Sequence, residues 1–157
     1  ELYTEKDSGT NMKKKRKDGS GFLVGRVFPN GKVKFLGLEA LPHIKRKKGG
    51  EYDIPKGKLQ KGEDVLQGAK RECREESGIK ISDSDIIGSG ESINGLTIFL
   101  ASTTMDPIIS PNPDSGKMEH AGSRWLSKSE IENNCLEYLK PIVKILTKRF
   151  IESLDKN

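Results

Sequence analysis

Hydrophobic positions along the chain fall into short clusters separated by turn residues. Phe22-Leu23-Val24 and Val27-Phe28 make a β-branched and aromatic stretch that stops at Pro29-Asn30-Gly31, a turn signal. Val33, Phe35, Leu36 and Leu38 then resume a strand pattern, so a β-hairpin is expected. Pro42 to Gly50 reads as a basic loop, and the apolar pair Tyr52 and Ile54 is cut off by Pro55 and Gly57. From Asp64 to Ser77 the pattern is helical: Asp64 suits an N-cap, Gln67 completes a capping box, and Gly78 stops the helix. Ile86-Ile87 and the Ile-, Leu-, Phe- and Thr-rich run Ile93 to Thr104 read as strands. Prolines 107, 111 and 113 with Gly116 mark a loop, and a short strand over Met118 to Leu126 follows it. Ser127 and Glu130 repeat the capping-box spacing, and Leu139 to Leu154 carries a helical apolar period. Strands and helices interleave without a regular βαβ rhythm, which predicts an α/β protein with a mixed sheet flanked by helices.

A chain of 157 residues suits one domain, divided here into a polar and basic N-terminal extension (1–19) and a folded domain (20–157). Its 28 basic and 23 acidic residues are mixed in sign, and with the apolar clusters this argues against disorder. Cys73 and Cys135 are too few for a disulfide framework and point to a reducing, cytoplasmic setting. No apolar run is long enough to span a membrane, and no signal segment is recognisable. The net charge of +5 is concentrated in Lys13-Lys14-Lys15-Arg16-Lys17 and Lys45-Arg46-Lys47-Lys48. Such runs suit a polyphosphate or a nucleic acid, and the first also has the composition of a nuclear-import signal; both could equally be solvated surface.

The candidate chemistry sits at the end of the first long helix. At about 100° per residue, Glu75 and Glu76 fall on either side of Glu72, so the three carboxylates share one face within a turn. Like charges at that spacing repel, and the C-terminal end of a helix disfavours anions, so a cation should compensate them. Hard divalent ions take oxygen ligands, and Mg²⁺ in particular is held by a few carboxylates plus substrate phosphates. Just before the helix, Lys56, Gly57, Lys58, Lys61 and Gly62 form a loop whose backbone can approach a ligand while its lysines neutralise phosphate.

Together this segment reads Gly57-x5-Glu63-x7-Arg71-Glu72-Cys73-x-Glu75-Glu76-x-Gly78-Ile79. It resembles the Nudix box, with Cys73 standing at a bulky apolar position, and the resemblance extends from about Ser20 to Leu154. The resemblance implies the Nudix fold, an α/β/α sandwich about a mixed sheet. It also implies hydrolysis of a nucleoside diphosphate linked to another group, by water attack on phosphorus with Mg²⁺ or Mn²⁺. On the matching positions, Glu75 and Glu76 would hold the metal and Glu72 would be a ligand or the general base. A backbone carbonyl of the Gly57 region would also meet the metal. Glu63, Arg71 and Gly78 would be structural, with Val65 and Ala69 facing the core. Glu119, six residues before Trp125, is the candidate for a further acidic ligand on a later loop; it could equally be an exposed strand residue.

The substrate is read less directly. Tyr52-Asp-Ile-Pro-Lys-Gly57 resembles an element of dinucleoside polyphosphate hydrolases, and Lys58 after it resembles the mRNA-decapping type. Tyr52, Lys56 and Lys58, with Lys45, Arg46, Lys47 and Lys48, are therefore the candidate substrate contacts. Tyr52 either stacks on a base or packs against the sheet. A dinucleoside polyphosphate is the first expectation. RNA 5′ ends, diphosphoinositol polyphosphates and ADP-ribose or NDP-sugars are alternatives, and a nucleotide-sensing module is the non-enzymatic one. His43 and His120 are expected to be ordinary surface residues.

Overall fold

The computed structural model describes residues 18–156; the basic run 13–17 lies outside them. Strands β1 (Gly19–Val27) and β2 (Val33–Ala40) form the expected hairpin. Helix α1 (Pro42–Lys48) follows, then β3 (Tyr52–Asp53), β4 (Lys56–Lys58) and helix α2 (Val65–Ser77). The second half brings β5 (Glu91–Ile93), β6 (Leu96–Ser102), β7 (His120–Leu126), α3 (Lys128–Asn134) and α4 (Lys140–Leu154). These make a seven-stranded mixed sheet between helical layers.

The sheet has a fork. One edge of β2 is taken by β7 from Phe35 to Ala40, so β1 (at Val33 to Phe35) and β3 (at Leu38 and Glu39) must share the other. Likewise β6 runs parallel to β1 from Gly19 to Gly25, leaving its other edge to β2 at one end and β4 at the other. The hairpin strands therefore splay apart, and the segment from β3 to β4 fills the gap. Phe22 and Val24 face a core with Ala69, Cys73 and Ile79, whereas Leu23 faces one with Leu139, Val143, Leu146 and Phe150. Burial on both faces is why this strand reads as a continuous apolar run. No helix among the described residues is long and apolar enough to cross a membrane.

Helix α2 starts and ends as expected. Asp64 accepts from the Gln67 amide at 2.8 Å, Gln67 reaches back to the Asp64 amide at 3.0 Å, and Gly78 takes the left-handed conformation (φ 72°). The structure corrects several expectations. The basic loop is helical: Pro42 is its first residue, where a proline's fixed φ and missing N–H suit a helix. The run Ile93 to Thr104 is two strands, because Asn94 (φ 49°) and Gly95 (φ 81°) make a two-residue hairpin turn between β5 and β6. Val65 is 37% exposed instead of inward-facing. The packing place against this first turn is taken by Leu59, whose methyl would lie 2.4 Å from a Cβ on Gly68. His120 is buried, not superficial: β7 pairs Ala40 with His120 but Glu39 with Gly122. Ala121 is the extra residue of this bulge, and the irregularity turns the imidazole inward.

Candidate active site

The segment in the fork meets the end of α2. Glu72 lies against Gly57 so closely that a Cβ there would sit 1.9 Å from Glu72 Oε2. Glu76 Oε1 accepts from the Lys56 amide at 3.1 Å. Arg71 ties helix to loop: its Nε and Nη2 donate to Glu63 at 2.8 and 3.0 Å, and Nη2 also reaches the Lys58 carbonyl at 3.0 Å. This fork-on-fork pair holds Glu63 below the usual carboxylate range and Arg71 above its own. Arg71 Nη1 then stands 3.3 Å from both Glu72 Oε2 and Glu75 Oε1.

The carboxylates feel one another. Burial, then the charges of Glu75 and Glu119, push Glu72 up, although Arg71 beside it pulls the other way. Glu76 is pushed up to about 9, by burial first and then by Glu72 and Asp53. Glu119, at the exposed entrance to β7, accepts from Asn112 Nδ2 at 2.5 Å. Among the described residues no three acidic, His or Cys side chains stand together as a metal cage, since Glu72 and Glu75 turn to Arg71 and Glu76 to a backbone amide. The donor chemistry nonetheless fits a hard divalent cation: the donors are carboxylate oxygens on one helix face, and Glu72 and Glu76 are held above the ordinary carboxylate range by burial first and by neighbouring carboxylates next.

Beside Gly57 opens a cavity of about 910 Å³. Lys47 and Lys48 from α1 and Lys56 and Lys58 from the fork line it, facing Tyr138 and the Asn94-Gly95 turn. Among the described residues its one acidic lining residue, Glu137, is engaged by Lys140 at 2.7 Å. The ammonium groups of Lys48 and Lys56 lie 5.7 and 5.5 Å from the Tyr138 ring centre, within cation–π range. Burial alone would lower the Lys56 ammonium, but the Asp53 carboxylate, followed by Tyr138 and Glu76, holds it above the ordinary lysine range.

The seven candidate substrate contacts thus divide. Lys47, Lys48, Lys56 and Lys58 converge on the cavity. Lys45 turns instead to Glu51 at 3.1 Å, and Arg46 is exposed outside the cavity lining. Tyr52 packs its ring over Gly37 and takes a hydrogen bond from Arg124 Nη1 at 3.3 Å, so it belongs to the sheet. Tyr138, Asn94 and Asp53 were not visible as site residues in the sequence. Tyr138 precedes a helical period and looks like part of its packing, whereas the Asn-Gly pair was a readable hairpin signal.

The NUDIX domain model matches residues 24–148. A search among curated protein sequences finds no match. Among solved structures, the chain resembles a C. elegans Ap4A hydrolase in a binary complex, with a TM-score of 0.65 and 22% identity over 89% of this chain and 100% of that one. It also resembles a MutT protein from Methanosarcina mazei Go1 (0.58; 21% identity; 84% and 95% covered). A third likeness is to RenU, a Nudix hydrolase from M. smegmatis (0.57; 17% identity; 88% and 87% covered). The sheet and its flanking helices match the fold of these proteins.

Proposed function

The chain belongs to the Nudix family and is a pyrophosphohydrolase, and from that premise we propose that it cleaves a phosphoanhydride bond in a dinucleoside polyphosphate, with Mg²⁺ or Mn²⁺ as cofactor. The observation that carries this reading is the cavity beside Gly57. Among the described residues its four lysines face a single carboxylate that already has a cation, so the lining is suited to several phosphates. About 910 Å³ is also near the upper end of small-molecule pockets and leaves room for a nucleoside beyond the phosphate chain. The likeness to an Ap4A hydrolase supports the same substrate class.

In this reading Glu75 and Glu76 hold the metal, with Glu72 and Glu119 as further oxygen donors and the Gly57 backbone beside them. A divalent ion bound there would offset phosphate charge and acidify a water. The chain's residues do the rest. A water oxygen forms the new bond to phosphorus, the bridging P–O bond breaks, and the departing phosphate keeps the electron pair. Glu72, half-buried and raised above the ordinary carboxylate range, is suited to take the water's proton if it is not a ligand. Lys47, Lys48 and Lys58 bind the remaining phosphates, and Lys56 orients them from a fixed place on the wall. Two buried, unpaired thiols fit a reducing, cytoplasmic setting.

The test is incubation with Mg²⁺ or Mn²⁺ and a panel of dinucleoside polyphosphates, ADP-ribose, NDP-sugars, capped or triphosphorylated RNA and diphosphoinositol phosphates. Preferred release of a nucleotide from the dinucleoside tetraphosphate is the expected result. Preference for any other member reassigns the substrate, and binding without turnover of any member favours a sensing module.

A further inference from the structure

Among the buried polar contacts that the reaction above leaves unused is the one between Asp53 and His120. Asp53 and His120 come from β3 and β7, strands that lie on opposite edges of β2, and neither lines the cavity. Their side chains are 12% and 7% exposed. The Asp53 carboxylate is fully engaged: Oδ1 accepts from the Ile54 amide at 2.8 Å and meets Lys56 Nζ at 3.3 Å. Oδ2 meets His120 Nε2 at 3.3 Å and Lys56 Nζ at 3.4 Å.

The usual role of such a histidine is to satisfy a buried acid. Two observations give it more to do. The Ala121 bulge turns His120 inward immediately after Glu119, so the residue anchored in the interior adjoins the acidic residue at the exposed entrance to β7. On the other side, Asp53 grips Lys56, whose amide holds Glu76 and whose successor Gly57 abuts Glu72. A single chain of contacts therefore runs from β7 through Asp53 and Lys56 to the acidic face of α2. Without the imidazole, one carboxylate oxygen is left to the lysine alone, and the Asp53–Lys56 pair is free to pivot.

We infer that His120 is a positioning residue: through Asp53 it fixes Lys56 and Gly57 against the strand end that carries Glu119. This rests on the functional reading above only in taking those groups as the site. Leucine fills a similar volume without a donor, whereas glutamine keeps an N–H in reach of Asp53. In His120→Leu, kcat should fall by about 10-fold or more with KM changed less than about 3-fold, and His120→Gln should retain most of the turnover. Hydrogen exchange of the metal-free protein supplies a readout independent of activity. The Lys56 amide, held by Glu76, should exchange about 10-fold faster in His120→Leu, while the Ile87 amide, bonded to Leu100 at 2.8 Å, should not change. A histidine serving only packing would speed both amides or neither and would not be rescued by glutamine.

If His120→Leu fails to fold, Asp53→Asn opens the same link from the other end and should selectively loosen Lys56 in the same way. Unchanged Lys56 exchange in folded variants, or a glutamine variant as impaired as the leucine one, overturns the inference. Selective loosening of Lys56 in a protein that hydrolyses no member of the panel upholds the clamp and removes the functional reading instead.

Discussion

Gly57 and Glu72 touch at a place where a side chain on the first would displace the second. A Cβ on residue 57 would lie 1.9 Å from Glu72 Oε2 and 2.2 Å from its Cδ. The atoms in the way are the far end of a flexible side chain, and Gly57 is not among the glycines with positive φ, so alanine is tolerable for the backbone. Gly57→Ala should therefore fold with nearly the wild-type Tm while turnover falls on the order of 10², the cost of misplacing a reacting group by about 1 Å. Thermal unfolding and steady-state kinetics on one sample decide it. A large loss of Tm would mean that the contact serves stability instead.

The helix face predicts a dependence on both metal and carboxylates. Glu75→Gln and Glu76→Gln should each lower turnover by about 10² or more, through loss of a metal ligand. Rates measured at subsaturating Mg²⁺ are the check, and two variants as fast as the parent would remove these residues from the site.

The Glu76 shift predicts an unusual pH response in the metal-free protein. Its carboxyl is raised from an ordinary 4.5 to about 9, chiefly by burial, so between those values the folded state keeps a proton that the unfolded chain has released. Stability from this group is then fully present below about 4.5 and is lost as pH rises through about 9. In chelator, Tm should fall from pH 6 to 9. Glu76→Gln should flatten that slope and raise Tm at pH 8, while Mg²⁺ or Mn²⁺ should stabilise the parent by mass action and leave a Glu75→Gln/Glu76→Gln variant unmoved. A parent protein that gains stability with rising pH, or equal metal responses in both proteins, contradicts this assignment.

What could be read in the chain followed from local rules. Asp64, Gln67 and Gly78 bound α2 by capping chemistry that depends on neighbouring residues alone, and the acidic face follows from helical spacing. What could not be read depends on contacts between segments distant in sequence. Asp53 and His120 are 67 residues apart, and the bulge that turns the imidazole inward is a property of the β2–β7 register. Helix α1 was hidden for a different reason. Pro42 opens a basic segment with no apolar period of its own and so reads as a loop, although at the first position of a helix a proline favours the turn.

The helical form of α1 sharpens the expectation for substrate charge. As a loop, Lys45, Arg46, Lys47 and Lys48 were equivalent; as a helix they separate, with Lys47 and Lys48 on the cavity wall, Lys45 bonded to Glu51 and Arg46 outside. Lys47→Gln/Lys48→Gln should raise KM for a dinucleoside tetraphosphate by roughly 5- to 30-fold, as expected for two exposed charge contacts, while kcat changes little because ground and transition states are bound alike. Lys45→Gln/Arg46→Gln should be nearly silent. Exposed charges are screened over about 10 Å at 0.1 M salt, so the penalty of the first pair should shrink as ionic strength rises. The parent should also favour the tetraphosphate over ADP-ribose in kcat/KM, most clearly at low salt. ADP-ribose preferred at every ionic strength, with both double variants kinetically silent, would make α1 a solvated surface and reject the polyphosphate reading, leaving the role of the α2 glutamates intact.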